Sequence, residues 1–271
     1  MENANKTSRT LVNVIGIPSL LFIIYSGGIL FLFLFLVIMF IGSTELVSLS
    51  KKKGADLFSP TLNQGVLGIG LLYYFDMIDH VLPFIMIIMI GVMIIEVFRS
   101  SKSPFLNIAI TSLAMIWLGL LIGSMIYIRN EAGFIIALSI FLSVWTCDTF
   151  GFFFGKNFGK AKILPDVSPK KTWVGSIMGL IGSLACMLIF YYFELFASLN
   201  FCDVLAIGVI CGFFGQLGDF AESALKRDIG VKDSGGFLRG HGGVLDRFDS
   251  LAFAAPLTLL YLKYFTEIFN G

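Results

Sequence analysis

The residues best suited to chemistry lie between Ser223 and Ser250, in a polar stretch that separates two apolar segments. The stretch holds five basic residues, four aspartates and a histidine: Lys226, Arg227, Lys232, Arg239 and Arg247, then Asp228, Asp233, Asp246 and Asp249, and His241. Basic side chains and the backbone N–H groups of a glycine-rich loop suit a polyphosphate, whereas carboxylates suit a hard cation such as Mg²⁺. Both occur in one loop, which predicts a site for a metal-bound nucleotide.

A second polar group leads into this stretch. Asp219, Glu222, Ser223 and Lys226 are spaced i, i+3, i+4 and i+7, so a helix would carry them on one face. A surface ion pair between Glu222 and Lys226 would explain two of them but would leave Asp219 unexplained. We therefore favour Asp219 as a metal ligand.

A third polar group ends an earlier apolar segment. Asp148 lies seven residues before Gly155, where we place the membrane boundary, and a charge near mid-membrane costs about 2.5–3.5 kcal/mol on insertion scales. It is a functional candidate, the alternative being a structural carboxylate paired to a basic residue. The following basic loop includes Lys170 and Lys171, which could hold a phosphate or face anionic headgroups. Ser168 or Thr172 could cap the next helix.

The D-R-F-D turn supplies the last carboxylates. If a helix begins there, Asp246 and Asp249 share a face at its positive end. That position allows Asp249 a simple capping role, whereas we favour Asp246 as a metal ligand. His241 is interpreted as a phosphate contact or loop organiser, and Arg239 and Arg247 as phosphate clamps.

These motifs together resemble the signature of the phosphatidate cytidylyltransferase (CDP-diacylglycerol synthase) family. The long match runs S-x-L-K-R-x4-K-D-x-G-x2-L-x-G-H-G-G-x2-D-R-x-D from Ser223 to Asp249. Two shorter matches involve Trp145, Asp148, Thr149 and Gly155, and then 168–172 with Gly175. Gly151-Phe152 replaces an Ala-Tyr pair, and Val174 stands where the family usually has Glu. Any role of that Glu must be absent or supplied elsewhere, for which Asp166 is a candidate.

The resemblance implies transfer of CMP from CTP to phosphatidic acid, with Mg²⁺ as cofactor and one or two metal ions. The implied roles are catalytic for Asp219, Lys226, Asp246 and Asp249, metal-binding for Asp219, Asp246, Asp249 and Asp148, and substrate-binding for Lys170, Lys171, Ser223, Arg227, Arg239, His241 and Arg247. The predicted helix that carries Asp219 and the D-R-F-D turn are expected to share the metal. The partners are CTP, phosphatidic acid and membrane lipids, with no nucleic acid and with a homodimer left open.

The composition predicts an all-α, polytopic membrane protein. Of the 271 residues, 57% are hydrophobic and only 14% are charged, whereas a soluble domain carries about 25% charged residues. Apolar runs of spanning length predict helices, because a barrel strand needs only about 9–11 residues. About nine transmembrane segments are predicted: 10–26, 29–49, 61–75, 80–98, 104–128, 133–154, 173–193, 202–222 and 250–268.

Charge predicts the orientation of these segments. Nine spans place seventeen of the nineteen basic residues on one side, which is a strong positive-inside signal. The N-terminus, the loops 155–172 and 223–249 and the active site are then cytoplasmic, and the C-terminus is outside. In a bacterium the membrane would be the plasma or inner membrane. Residues 1–130 are interpreted as a scaffold, in which Glu45 and Glu96 reach water near helix ends. Residues 131–271 are interpreted as the catalytic region.

Two other functions stay open at this point. A CTP-dependent polyprenol or phytol kinase would have a similar membrane architecture. A cation-coupled transporter would use Asp148, Asp219 and Glu222 as an ion pathway. However, a transporter often shows internal repeats, and we find none in this sequence.

Overall fold

The structure, a computed structural model, describes residues 16–235 and 242–269, and these residues form helices and their connections without a β-strand. The helices are α1 Gly16–Ser26, α2 Gly28–Lys51, α3 Ser59–Tyr74, α4 Val81–Arg99, α5 Pro104–Ala114, α6 Ser124–Tyr127, α7 Gly133–Phe158, α8 Trp173–Tyr192, α9 Phe201–Val209, α10 Gly215–Ile229 and α11 Leu245–Phe265. Wider π-helical turns follow α5, α6 and α9 without breaking the helical path. The all-α prediction is confirmed for these residues.

Five helical segments in the described part of the chain are long and apolar enough to cross a membrane. They are Gly28–Lys51, Ile78–Arg99, Pro104–Phe158, Trp173–Tyr192 and Phe201–Ile229. One crossing needs about 20 residues, so the 55 residues of the third segment exceed a single crossing. The other predicted segments are helical too, as α1, α3 and α11. The chain is therefore a helical membrane protein, and the count of nine spans stays a prediction.

The chain divides into two compact units. The first unit contains the residues up to Asn130 together with Ile229–Arg247, and the second contains Glu131–Asp228 and the residues from Phe248 onward. Gly133, next to this boundary, has a φ of +86°, which only glycine adopts without strain. Most of the loop 223–249 belongs to the first unit, and the division into a scaffold and a catalytic region stays a prediction.

The first unit is built around aromatic and aliphatic side chains of α2, α3 and the turn after α5. Phe31 and Phe35 stack with ring centroids 4.6 Å apart, and both are fully buried. The guanidinium of Arg129 donates to the carbonyl oxygens of Ile24 and Tyr25 at 2.6 and 2.7 Å. These are orphan carbonyls at the end of α1, so Arg129 closes that helix.

Two glutamates of the first unit correct a prediction. Glu45 and Glu96 were expected to reach water, but each is only 6% exposed. Glu96 is satisfied by its own neighbourhood, because Arg99, Ser101 and Asn107 all donate to its carboxylate. Glu45 is satisfied by residues that lie almost 200 positions later in the chain.

The second unit is organised by close packing of α7 on α8. A Cβ added at Gly175 would lie 2.6 Å from the carbonyl oxygen of Gly151, so the two backbones nearly touch. Small residues permit such contact between membrane helices. The hydroxyl of Thr172 accepts the N–H of Gly175 at 3.2 Å, which confirms Thr172 as the cap of α8.

Candidate active site

A cavity of about 710 Å³ lies in the second unit, where α7 ends and α8 begins. The basic loop between these helices and α10 also contribute lining residues. Two carboxylates and four lysines line the cavity: Asp148 and Asp219, and Lys156, Lys162, Lys170 and Lys171. Four of the predicted site residues, Asp148, Lys170, Lys171 and Asp219, are therefore brought together. Several cations in one cleft raise the local concentration of anions and favour a polyphosphate ligand.

The ammonium of Lys171 is fixed in this cavity by two neighbours. It forms an ion pair with the carboxylate of Asp219, and it lies 4.4 Å from the centroid of the Phe220 ring. The two charged side chains keep 28% and 25% of their surface exposed, so the pair faces the open part of the site. Lys171 therefore presents a positive charge that a ligand phosphate can reach. The phosphate must compete with the carboxylate of Asp219 for this ammonium group.

A hydrogen-bonded bridge between Ser176 of α8 and Gln216 of α10 lines the cavity. The hydroxyl of Ser176 donates to the side-chain oxygen of Gln216, whose amide donates back to the carbonyl of Ser176 at 3.1 Å. The bridge holds α10 at a fixed distance from α8, and thus Asp219 near Lys171. Neither Gln216 nor Ser176 was among the site residues predicted from the sequence.

Two of the four lysines were also missed. Lys156 lies in the last turn of α7 and Lys162 in the basic loop that follows it, and both line the cavity. Their only signal in the sequence was the density of lysines in that loop, which fits lipid headgroups equally well. The antiparallel contact between Lys162 and Thr172 closes the loop on itself and fixes Lys162 beside the start of α8.

One face of α10 carries the predicted polar stripe. The hydroxyl of Ser223 donates to Asp219 at 3.3 Å, and the ammonium of Lys226 lies 2.5 Å from the carboxylate of Glu222. The pair of Glu222 and Lys226 was the simpler alternative reading of this stripe. It forms, but as a buried pair rather than a surface pair, because its side chains are only 5% and 11% exposed.

Asp249 lies on α11, in the second unit. The helix begins at Leu245, so Asp249 is in its second turn and does not cap it, which corrects the capping alternative. Its side chain accepts the N–H of Ser250 at 2.6 Å. It also interacts electrostatically with the carboxylates of Asp219, Glu222 and Asp148. A third helix thus brings a further carboxylate toward those of α7 and α10.

The carboxylates of the second unit suit magnesium by their chemistry. In residues 16–235 and 242–269, however, no three His, Cys, Asp or Glu side chains are close enough together to hold a metal ion. Mg²⁺ is usually bound by one or two carboxylates, and substrate phosphates and water complete its octahedron. The residues therefore fit a metal that arrives with the nucleotide better than a resident metal.

The remaining predicted residues lie elsewhere or outside the described residues. Asp246 and Arg247 belong to the first unit. Arg227 donates from Nε to the carbonyl of Val167 at 3.1 Å, so it anchors the basic loop to α10. Arg239 and His241 lie outside the described residues.

Comparison with known proteins identifies the family. The cytidylyltransferase family model matches residues 7–265, which is nearly the whole chain. The chain belongs to this family, and the membership predicted from the signature is confirmed. The match also includes the N-terminal half, where the sequence analysis found only a pattern of apolar segments.

Several curated relatives carry the name phosphatidate cytidylyltransferase. The protein of Staphylococcus aureus (strain COL) is 34% identical over 263 residues, which cover 94% of this chain and 98% of the relative. The protein of Bacillus subtilis (strain 168) is 33% identical over 272 residues, covering 95% and 98%. The protein of Staphylococcus haemolyticus (strain JCSC1435) reaches 42% over a shorter stretch of 167 residues, 61% of this chain and 63% of the relative.

Proposed function

We propose that this chain is a phosphatidate cytidylyltransferase, which transfers CMP from CTP to phosphatidic acid. The membership of the family and the names of relatives aligned over more than nine-tenths of the chain support this activity. The lysine-lined cavity of the second unit is the structural observation that supports this chemistry. A site with four cations beside two carboxylates is better suited to binding two phosphate-bearing substrates than to conducting a cation.

The reaction is one displacement at phosphorus. A phosphate oxygen of the lipid attacks the α-phosphorus of CTP, a new P–O bond forms, and the bond to the β-phosphate oxygen breaks. The products are CDP-diacylglycerol and pyrophosphate. The lipid phosphate carries about −1.5 to −2 charges at pH 7, so no side chain has to remove a proton from it.

Bringing two polyanions together is the main barrier to this reaction, and the lysines lower it. Lys171 and Lys170 would hold phosphate oxygens, and Lys156 and Lys162, which also line the cavity, would extend the positive surface. Asp219 orients Lys171 through their ion pair. A bound divalent ion would add charge neutralisation at the phosphates, with Asp219, Asp148 and Asp249 as its candidate ligands.

Labelled CTP separates this activity from its nearest alternative. Purified protein is given phosphatidic acid, Mg²⁺ and CTP that carries label at either the α- or the γ-phosphate. We expect α label in the lipid fraction and γ label in pyrophosphate. Lipid that carries the γ label would instead indicate a kinase. No transfer from either position, together with cation flux in liposomes, would favour a transporter.

The proposal includes a topology with nine spans and a cytoplasmic active site. It is supported by the asymmetry of the basic residues, seventeen of nineteen on one side. Single cysteines that replace Lys52, Lys162 and Lys232 should react with an impermeant reagent only from the cytoplasmic side, and one that replaces Asp79 only from outside. Labelling of positions 162 and 232 from opposite sides would refute this topology.

A further inference from the structure

The buried carboxylate of Glu45 holds the glycine-rich loop of the first unit. Its Oε1 accepts the N–H of Val244 at 2.9 Å, and its Oε2 accepts the N–H of Leu245 at 3.0 Å. The hydroxyl of Ser234 lies 3.1 Å from the same Oε2. Leu245 begins α11, so Glu45 satisfies backbone donors that the start of a helix leaves without intrahelical partners. A carboxylate is also favoured there by the helix dipole.

The same loop contacts orient Asp246. Its Oδ2 accepts the N–H of Gly243 at 2.7 Å and the N–H of Ser234 at 3.0 Å, and the Ser234 hydroxyl is 3.1 Å away. Ser234 therefore lies between two carboxylates, with Glu45 on one side and Asp246 on the other. The position of Asp246 consequently depends on a side chain of α2.

Two glycines of the loop leave space for Glu45. A Cβ at Gly235 would lie 2.6 Å from Oε1 of Glu45, and a Cβ at Gly243 would lie 2.5 Å from Oε2. Such contacts are closer than carbon and oxygen tolerate, and Glu45 cannot move aside without losing its three donors. The glycines at these two positions are explained by close approach to a carboxylate, not by backbone conformation.

We infer that Glu45 is a positioning residue for the transfer reaction, acting through Ser234 and the start of α11 to fix the orientation of Asp246. This inference rests on the proposed function and on the metal-binding role that the sequence predicts for Asp246. It assigns a role in the reaction to residues 1–130, which the sequence analysis interpreted only as a scaffold.

The test compares Glu45→Gln with Glu96→Gln. The two glutamates are equally buried at 6% exposure and lie in the same unit, but Glu96 bonds to its own neighbours, residues 99–107. In Glu45→Gln an amide N–H₂ replaces one acceptor and faces the N–H of Val244 or Leu245. Hydrogen exchange followed by mass spectrometry should show faster exchange in residues 242–247 of Glu45→Gln, and unchanged exchange there in Glu96→Gln.

Steady-state kinetics of the same proteins distinguish positioning from a merely structural role, because only positioning lowers kcat without a matching change in KM. A displacement of about 1 Å can cost about 100-fold in rate, so kcat of Glu45→Gln should fall about 100-fold while KM for CTP changes less than about threefold. Glu96→Gln should keep kcat within about threefold of the unmodified protein. Glu45→Asp, which retains a carboxylate, should recover part of the lost kcat.

The outcomes separate this inference from the proposed function. If the unmodified protein transfers no CMP, the proposed function fails, and the exchange data alone report whether Glu45 holds the loop. If the unmodified protein is active and Glu45→Gln keeps its kcat, the positioning role is refuted and the function stands. Equal loss of kcat in both glutamine variants would indicate general destabilisation and would also refute the positioning role. If Glu45→Gln cannot be purified folded, Ser234→Ala replaces it in the test, because the Ser234 hydroxyl links Glu45 to Asp246. An unchanged kcat in Ser234→Ala would again refute the positioning role.

Discussion

Replacing Lys171 by methionine is the most direct test of the lysine-lined cavity. Methionine keeps an unbranched side chain of similar length and removes the charge. In the structure this charge pairs with Asp219 and lies over the ring of Phe220. The variant therefore removes one cation from the site and leaves the carboxylate of Asp219 without its ion-pair partner.

The structure predicts a large effect on catalysis and a small effect on stability. The paired side chains are 28% and 25% exposed, so solvent screens them, and the pair contributes about 1 kcal/mol or less to folding. By contrast, losing one donor that stabilises developing charge lowers kcat by about 10²–10³-fold, or about 3–4 kcal/mol. We therefore expect kcat to fall at least 100-fold while the melting temperature drops by only a few degrees.

Transfer of α label from CTP into lipid measures kcat, and thermal unfolding of the detergent-solubilised protein measures stability. The matched control is Lys160→Met, because Lys160 is an exposed lysine of the same loop that is not among the cavity-lining residues. We expect that control to change kcat less than twofold. A loss below tenfold in Lys171→Met, or an equal loss in both variants, would contradict the role we give to Lys171.

Three further predictions concern packing, capping and metal binding. Gly175→Ala should destabilise the protein by about 1–3 kcal/mol through overpacking against Gly151, whereas Gly91→Ala, whose Cβ meets nothing within 4 Å, should be neutral or stabilising in a thermal-shift assay. Thr172→Ala should cost about 1 kcal/mol of stability because α8 loses its cap, and Thr172→Ser should restore it, as measured by the same assay. Chelation of divalent ions should abolish transfer reversibly, and Asp219→Asn should raise the Mg²⁺ concentration needed for half-maximal rate; a rate indifferent to chelators would exclude the magnesium proposal.

Local features of this chain could be predicted from the sequence because each depends on residues a few positions apart. The apolar runs located the helices, since their length and composition suffice for that. The spacing of Asp219, Ser223 and Lys226 placed them on one face, since helical geometry fixes it. Thr172 was a capping candidate because threonine accepts the N–H groups that begin a helix.

The contacts that build the candidate site depend instead on tertiary packing. Lys171 and Asp219 are 48 positions apart, and no periodicity links them. The replacement of Ala by Gly151 was visible as a departure from the family, but its reason, the close approach of Gly175, depends on how α8 packs on α7. Glu45 appeared as an ordinary carboxylate near the end of an apolar helix, because its partners follow almost 200 residues later.

The sequence separation between Glu45 and its partners also constrains how the protein is made. Val244 and Leu245 follow Glu45 by 199 and 200 residues, and at 5–20 residues per second a ribosome needs about 10–40 s to add them. During that interval α2 can enter the membrane, but its carboxylate lacks the donors that satisfy it in the finished protein. Burial of an unsatisfied polar group is costly, so the first unit cannot complete its packing as an independent early domain. Its maturation must wait until residue 245 has been synthesised, and chains that end before residue 234 should be retained as incompletely folded species.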